Sequence, residues 1–303
     1  MQTRFYSNGK LLVTGEYAVL DGATALAVPT VFGQALELSQ GATGECHWYS
    51  HDTEGTIWFE VTFEAPSLRI RSTSDTTIAQ RLQEVFRACG QLRPDFLASL
   101  SHGVTAHSHL GFDRHWGLGS SSTLINNLAQ WAKVDPYRLL AMTFGGSGYD
   151  IACAQHNTPL HYRLTANGHV VQPAAFDPPF KNRLFFVYLN QKQNSREGIK
   201  AYRERGFDRS ELISNINMLT TQLTTATTTE AFDQGLEAHE ALLAKVMGVP
   251  TIKERLFADF AGSIKSLGAW GGDFVLASGN EKTPDYFKAK GFHTVLSYSE
   301  MVL

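Results

Sequence analysis

The segment Gly117-Leu118-Gly119-Ser120-Ser121-Ser122 runs directly into residues 123–133, where Leu124, Leu128 and Trp131/Ala132 recur at helical spacing. Two closely spaced glycines open backbone conformations closed to other residues and let the chain approach a ligand. Three hydroxyl side chains then stand where the helix begins. A helix start offers free N–H groups and the positive end of the helix dipole, the combination that holds phosphate. A serine hydroxyl there is also within reach of Mg²⁺. Read alone, the same residues fit a plain strand-to-helix turn as well.

Around this loop the pattern predicts an α+β chain. Leu11-Leu12-Val13 and Ala25-Leu26-Ala27-Val28 read as short buried strands on either side of a glycine-containing turn. Residues 34–40 and 57–63 read as strands, with the polar stretch between them as a hairpin end. A helix is expected from Thr77 through Ile78, Leu82, Val85 and Phe86 to a stop at Gly90, and residues 103–110 alternate as a strand. In the second half, Asp208/Glu211 and Thr251/Glu254 fit capping boxes. A helix from about Glu230 ends near Gly248, with Pro250 beyond it. Strands are expected at 184–189, 274–278 and 294–298. Residues 220–229 hold seven threonines and read as a solvated connector, because threonine is a poor helix former. A seam at 173–182, containing Pro178-Pro179, divides the chain into domains 1–178 and 179–303.

The 303 residues are 43% hydrophobic and 18% charged, with 26 basic against 29 acidic side chains. That balance suits a globular protein with a sizeable core, and it lacks the basic face or tail that a nucleic-acid partner requires. Cys46, Cys89 and Cys153 form no C-x-x-C pair, which fits reduced thiols in the cytoplasm. Thr14, Gly15, Glu16, Asp21 and Gly22 break the apolar residues of 11–31, so neither a signal peptide nor a membrane span is expected. The expectation is a protein that acts on a small molecule, as a monomer or homodimer.

Other residues invite chemistry but carry less of it. His107-x-His109 places two imidazoles on one strand face, with no third ligand pattern nearby to make a zinc site. His239-Glu240 lacks the second histidine of a zincin helix. Cys153 reads as a small buried hydrophobe. His115 and Trp116, just ahead of the loop, suit either nucleotide packing or the core.

Four segments together resemble the motifs of the GHMP kinase superfamily, which includes galactokinase, homoserine kinase, mevalonate kinase and phosphomevalonate kinase. Residues 7–22 (SNGKLLVTGEYAVLDG) resemble its first motif, and Trp116 to Ser122 its ATP-binding motif. Residues 145–152 (GGSGYDIA) resemble the segment bearing the catalytic aspartate, and residues 266–273 (SLGAWGGD) the third, glycine-rich motif. The four occur in the family's order across most of the chain. The resemblance implies a two-domain GHMP fold: a β-rich, ribosomal S5 domain 2-like N-terminal domain that binds ATP, and a ferredoxin-like C-terminal domain. It implies Asp150 and Lys10 as the catalytic pair. Gly117, Leu118, Gly119, Ser120, Ser121, Ser122, Gly268, Gly271 and Gly272 would hold ATP phosphates, with Ser121 on Mg²⁺.

Within the superfamily, Gly15-Glu16-Tyr17 and the Lys192/Ser195/Arg196 segment resemble phosphomevalonate kinases more than mevalonate kinases. The implied acceptor is a hydroxy acid or phosphorylated acid of the mevalonate pathway of isoprenoid biosynthesis, contacted by Glu16, Tyr17, Ser147, Gly148, Tyr149, Lys192, Ser195 and Arg196. Two departures from the family pattern stand out. No glutamate lies in 132–148, where mevalonate kinases carry a second metal ligand; only Asp135 does, and it reads as a helix cap. Trp270 and Asp273 occupy positions that are usually small. A non-catalytic nucleotide sensor on the same fold, or a diphosphomevalonate decarboxylase-like lyase, are the alternative readings.

Overall fold

In a computed structural model that describes residues 3–192, 195–268, 270 and 272–303 (the Ser195 side chain excepted), the chain gathers into two units. The first takes the chain up to Gly9, then Phe32–Arg114 and Leu118–Gln155. The second takes Lys10–Val31, His115–Gly117 and His156–Leu303.

The strands β1 (Thr3–Leu12), β2 (Ala25–Gln40), β3 (Glu45–His51), β4 (Ile57–Glu64), β5 (Arg69–Thr73) and β6 (Val104–Leu110) open the chain. In the first unit their order is β5-β4-β3-β6-β2. The β3–β6 pair is parallel, the other pairs along that path are antiparallel, and β1 pairs with β2. The helices α1 (Thr76–Leu92), α2 (Asp95–Ser99), α3 (Ser120–Ala132), α4 (Pro136–Thr143) and α5 (Tyr149–Gln155) belong to the same unit. Trp48, Phe59 and Phe63 from the strands meet Phe86 of α1 and Phe96 of α2 in its core.

Two expectations change here. The polar stretch between the expected strands is itself a strand, β3. Cys46, Trp48 and Ser50 are buried while His47, Tyr49 and His51 are half-exposed, so the polar positions belong to the face turned away from the core. And α1 does not stop at Gly90 but runs on to Leu92, with Asp75 capping its start. A Cβ at position 90 would come within 2.6 Å of Leu97, so this glycine makes room for α2 instead of ending α1.

In the second unit, β7 (Leu160–Thr165) pairs with residues 25–27 of β2 and with β8 (Gly168–Pro173). The expected seam is the connection from β8 to β9 (Leu184–Tyr188). Then come α6 (Ser195–Glu204), α7 (Arg209–Thr225), α8 (Thr229–Met247), α9 (Ile252–Leu256), β10 (Ser263–Leu267), β11 (Phe274–Ser278), α10 (Thr283–Ala289), β12 (Val295–Ser297) and α11 (Tyr298–Met301). The four strands form an antiparallel sheet in the order β10-β11-β9-β12. With helices between β9 and β10 and between β11 and β12, this is the ferredoxin-like βαββαβ arrangement.

The caps at Asp208, Thr251 and Gly248 form as expected. Thr251/Glu254 makes the full reciprocal box, and Asp208 accepts from the Glu211 N–H. Only residues 226–228 of the threonine run form a connector: α7 continues to Thr225 and α8 begins at Thr229. The hydroxyls of Thr221, Thr224 and Thr225 each donate to the carbonyl four residues back, which satisfies them inside a helix. Thr220 is buried and donates to the Thr24 carbonyl at 3.1 Å. Among the described residues no helix is long and apolar enough to cross a membrane.

Candidate active site

The Gly/Ser loop enters α3 through Gly119, which has φ +89° as the residue before the helix and offers no side-chain cap. Gly117 also has positive φ, +67°. Ser122 and Thr123 donate their N–H groups to the Gly119 carbonyl, and no acidic side chain lies in the first turn. Ser120 and Ser121 begin the helix, with Ser121 exposed, while Leu118 is buried as an anchor. An uncapped helix start with no acidic side chain in its first turn suits an anion.

Buried polar contacts hold α3 in place. Ser7 Oγ donates to Asn127 Oδ1 at 2.7 Å and receives the Asn126 amide at 2.8 Å. Asn127 also donates to the Gln34 carbonyl, and Thr123 donates to the Gln34 side chain, which in turn reaches Ser108. Buried amides fully committed in this way fix the helix on β1, β2 and β6 more sharply than apolar contacts would. Gln155 of α5 donates to Asn126 at 3.1 Å, tying α5 to α3.

That tie matters because α5 carries Asp150 in its first turn. Gly145, Gly146 and Gly148 all have positive φ ahead of it, Ser147 between them is buried, and the Gly148 carbonyl accepts from Ile151 and Ala152. Within the first unit, Leu118, Gly119, Ser120, Ser121 and Ser122 and the segment from Ser147 to Asp150 therefore sit on two directly linked helices. Asp135, as expected, caps α4 by accepting from the Arg138 N–H at 2.9 Å.

In the second unit, Lys10 lies buried on β1 and its ammonium donates to the Gly117 carbonyl at 3.0 Å. The Asp273 carboxylate packs over the same glycine: a Cβ at position 117 would come within 1.9 Å of Asp273 Oδ2. Trp116 packs on the β9/β11 side of this unit, edge-to-face with Phe274 at 5.7 Å and tilted against Tyr188 at 6.4 Å.

The first-motif residues Glu16 and Tyr17 form a strained turn. Tyr17 has φ +58° and ψ −44°, and the Ala18 N–H donates to the Glu16 carbonyl at 2.6 Å across it. A three-residue turn with positive φ at its centre is rare and strained, and such strain tends to persist at functional sites. The turn is clamped: Tyr17 Oη accepts from the Trp270 N–H at 3.1 Å, its ring stacks on Tyr202, and Gly198 of α6 approaches so closely that a Cβ there would come within 2.3 Å of it. Tyr202 and Arg203 of α6 both bind Asp21. The structure thus joins the first motif, the third-motif residue Trp270 and the helix that follows Lys192. Lys192 and Arg196 are exposed at the head of that helix. Gly268 has φ +69° after β10, and Gly272 is buried. Gly271 and the Ser195 side chain lie outside the described residues.

Behind the turn is a cluster that pattern reading missed. Glu16 is completely buried and ion-paired with Lys265, also completely buried, on β10. His239 Nε2 accepts the Gly15 N–H at 3.1 Å. Burial, with Lys265 beside it, holds the His239 imidazole well below its usual range, so it is neutral. Burial pushes the Glu16 carboxyl up to about 7 against the pull of Lys265. Glu240 accepts from Ser266 and from the Trp270 indole at 3.2 Å, which turns that bulky side chain into the core. Lys265, in the middle of Ser-Ile-Lys-Ser-Leu, is held inside the protein by Glu16 and by its donation to the Ser266 carbonyl at 2.8 Å.

No protein-family model and no curated protein sequence matches the chain. Solved structures do match its fold. A mevalonate kinase from Methanococcus jannaschii superposes with a TM-score of 0.69 at 15% identity, over 98% of this chain and 96% of the other. A phosphomevalonate kinase from Streptococcus pneumoniae, solved with phosphomevalonate and AMPPNP, superposes with a TM-score of 0.69 at 17% identity, over 97% and 99%. A galactokinase from Lactococcus lactis, solved with galactose, gives 0.68 at 13% identity, over 96% and 89%. With a mixed β-rich unit followed by a ferredoxin-like one, the chain has the fold of the GHMP kinases.

Proposed function

We propose that the protein is an ATP- and Mg²⁺-dependent small-molecule kinase that phosphorylates an intermediate of the mevalonate pathway, with 5-phosphomevalonate the first acceptor to test and mevalonate the second. The uncapped N-terminus of α3, entered through two positive-φ glycines, is the observation that carries the reading. Backbone N–H groups there neutralise transferred phosphate without an added side chain.

The roles follow the four motifs. The loop from Gly117 to Ser122, together with Gly268, Gly271 and Gly272, holds the nucleotide phosphates. Ser121, exposed in the first turn of α3, has the hard oxygen donor that Mg²⁺ takes. Bound there with phosphate oxygens, the ion would supply charge neutralisation at the transferring group. The acceptor oxygen attacks the γ-phosphorus, the bond to the β-phosphate oxygen breaks, and ADP departs with the electron pair. Asp150 takes the proton from a hydroxyl acceptor, or orients a phosphate acceptor. Lys10 steadies charge, and its contact with the Gly117 carbonyl keeps it beside the loop. Phosphoryl transfer asks chiefly for such positioning and electrostatics.

Tyr17, Ser147, Gly148, Tyr149, Lys192, Ser195 and Arg196 are assigned to the acceptor. Glu16, committed to Lys265 inside the protein, supports the Tyr17 turn from behind. The cations Lys192 and Arg196 favour an acceptor that already bears a phosphate and a carboxylate. In this scheme residues 1–178 supply the Gly117–Ser122 loop, Lys10 and Asp150, and 179–303 supply Gly268, Gly271, Gly272, Lys192, Ser195 and Arg196. A coupled ADP-release assay across 5-phosphomevalonate, mevalonate, homoserine and common sugars tests it. Turnover with a mevalonate-pathway acid is expected. Nucleotide binding with no turnover on any acceptor would favour a sensor, and turnover on a sugar alone would move the substrate class.

A further inference from the structure

The face of the first unit's sheet turned away from its core holds a cluster of three histidines. On the parallel pair β3–β6, His51 lies in register with His109, and His107 stands two residues earlier on the same strand and face. One nitrogen from each of the three imidazoles lies within 4.8 Å of the other two, and all three residues are half-exposed. The His51 and His109 rings stack at 4.3 Å, and His51 Nε2 meets His107 Nδ1 at 2.9 Å.

The hydrogen bonds fix which atoms are available. His51 Nδ1 donates to the Gly55 carbonyl at 3.1 Å, so its proton is there and Nε2 carries the lone pair. The 2.9 Å contact is then a donation from His107 Nδ1–H to that lone pair. A ligating histidine is usually oriented by just such a bond from its other ring nitrogen to a carbonyl. Glu37 lies opposite His107 on β2 and adds negative charge to the cluster, with Arg4 at 3.4 Å from its carboxylate.

We propose that His51, His107 and His109 form a binding site for a divalent transition-metal ion of the zinc class, with three imidazole ligands and an open fourth position. Ligand nitrogens about 2.0–2.1 Å from zinc in a tetrahedron stand roughly 3.3 Å from one another, so these side chains need only small rotations to close on an ion. The metal takes the His51 lone pair. The proton of His107 moves from Nδ1 to Nε2 when Nδ1 becomes a ligand, and the His–His hydrogen bond is replaced by two metal bonds. Imidazole donors suit zinc, cobalt, nickel and copper and disfavour Mg²⁺, so this site is chemically distinct from the magnesium position assigned to Ser121. It cross-links β3 to β6, the parallel pair inside the sheet.

The test uses full-length protein without a histidine tag, stripped with a chelator and titrated with Co²⁺ followed by visible absorption, then with Zn²⁺ by calorimetry. One ion per chain is expected, with a dissociation constant of about 10 μM or tighter. His51→Ala and His109→Ala should each weaken binding at least about tenfold. His47→Ala should bind as the wild type does, because His47 is engaged by Glu45 on its own strand and by Thr62 of β4. Absence of saturable binding, or full-strength binding in both His51→Ala and His109→Ala, overturns the proposal. Should either variant fail to fold, imidazole N–H proton signals shifted by Co²⁺ in the wild-type protein decide the matter: their presence supports the site and their absence overturns it.

Discussion

At the scale of single residues, the strongest physical commitment among the described residues is the pair Glu16–Lys265, a carboxyl and an amine with no exposure at all. A buried pair offsets a large desolvation cost only while both members are present. Lys265→Met is therefore expected to destabilise the protein by about 3–5 kcal/mol, read from the urea midpoint at constant slope. Glu16 also makes stability depend on pH. Its carboxyl is raised from an ordinary 4.5 to about 7, so between those values the folded chain holds a proton that the unfolded chain has released. Its contribution therefore falls as pH rises from about 4.5 to about 7 and is level above that. His239, held neutral, works in the opposite direction below its usual range. The stability of Glu16→Gln relative to the wild type should thus climb between pH 5 and pH 7.5, by a few kcal/mol at roughly 1.4 per pH unit. Parallel stability curves across that range would contradict this account of Glu16.

At the scale of elements, the helix start at α3 and the amides beneath it carry the loop. Gly119 at φ +89° is strained with any Cβ, so Gly119→Ala should cost about 1–2 kcal/mol and weaken binding of a non-hydrolysable ATP analogue. Asn127 is buried between Ser7 and Gln34. Asn127→Leu should cost about 1–3 kcal/mol through the partners it orphans, measured by thermal or urea unfolding.

The elements also show what a sequence can reveal. The loop feeding α3, the Thr251 box and the Gly248 stop were legible because each is local: a turn residue or cap says where a helix begins or ends whatever packs against it. What stayed hidden was set by distant contacts. Gly90 looked like a stop and is a clearance for Leu97. Residues 45–51 looked like a hairpin end because one face of β3 is polar. The threonines of α7 looked like loop because their hydroxyls' partners, carbonyls one turn back and Thr24, exist only once the helix is formed. His51, sixty residues or so from His109 in the chain, could not announce itself as the third member of the histidine cluster until β3 was known to lie beside β6. Lys265 is the same lesson inside the core.

At the scale of the whole molecule, the fold is that of kinases acting on acceptors as different as galactose and phosphomevalonate, so the acceptor must be read from side chains. With 5-phosphomevalonate, Lys192→Ala and Arg196→Ala are each expected to raise KM about 10- to 100-fold with little change in kcat, the loss of a charge-assisted hydrogen bond made equally in ground and transition states. Equal KM values in wild type and variants would remove both residues from the acceptor set. The central claim, phosphoryl transfer with Asp150 at the reacting oxygen, is tested most directly by the turnover of Asp150→Asn on whichever acceptor the wild type phosphorylates, with nucleotide affinity measured alongside. The account predicts a fall in kcat of about 10²–10⁴-fold with the ATP analogue still bound; an unchanged kcat would contradict it.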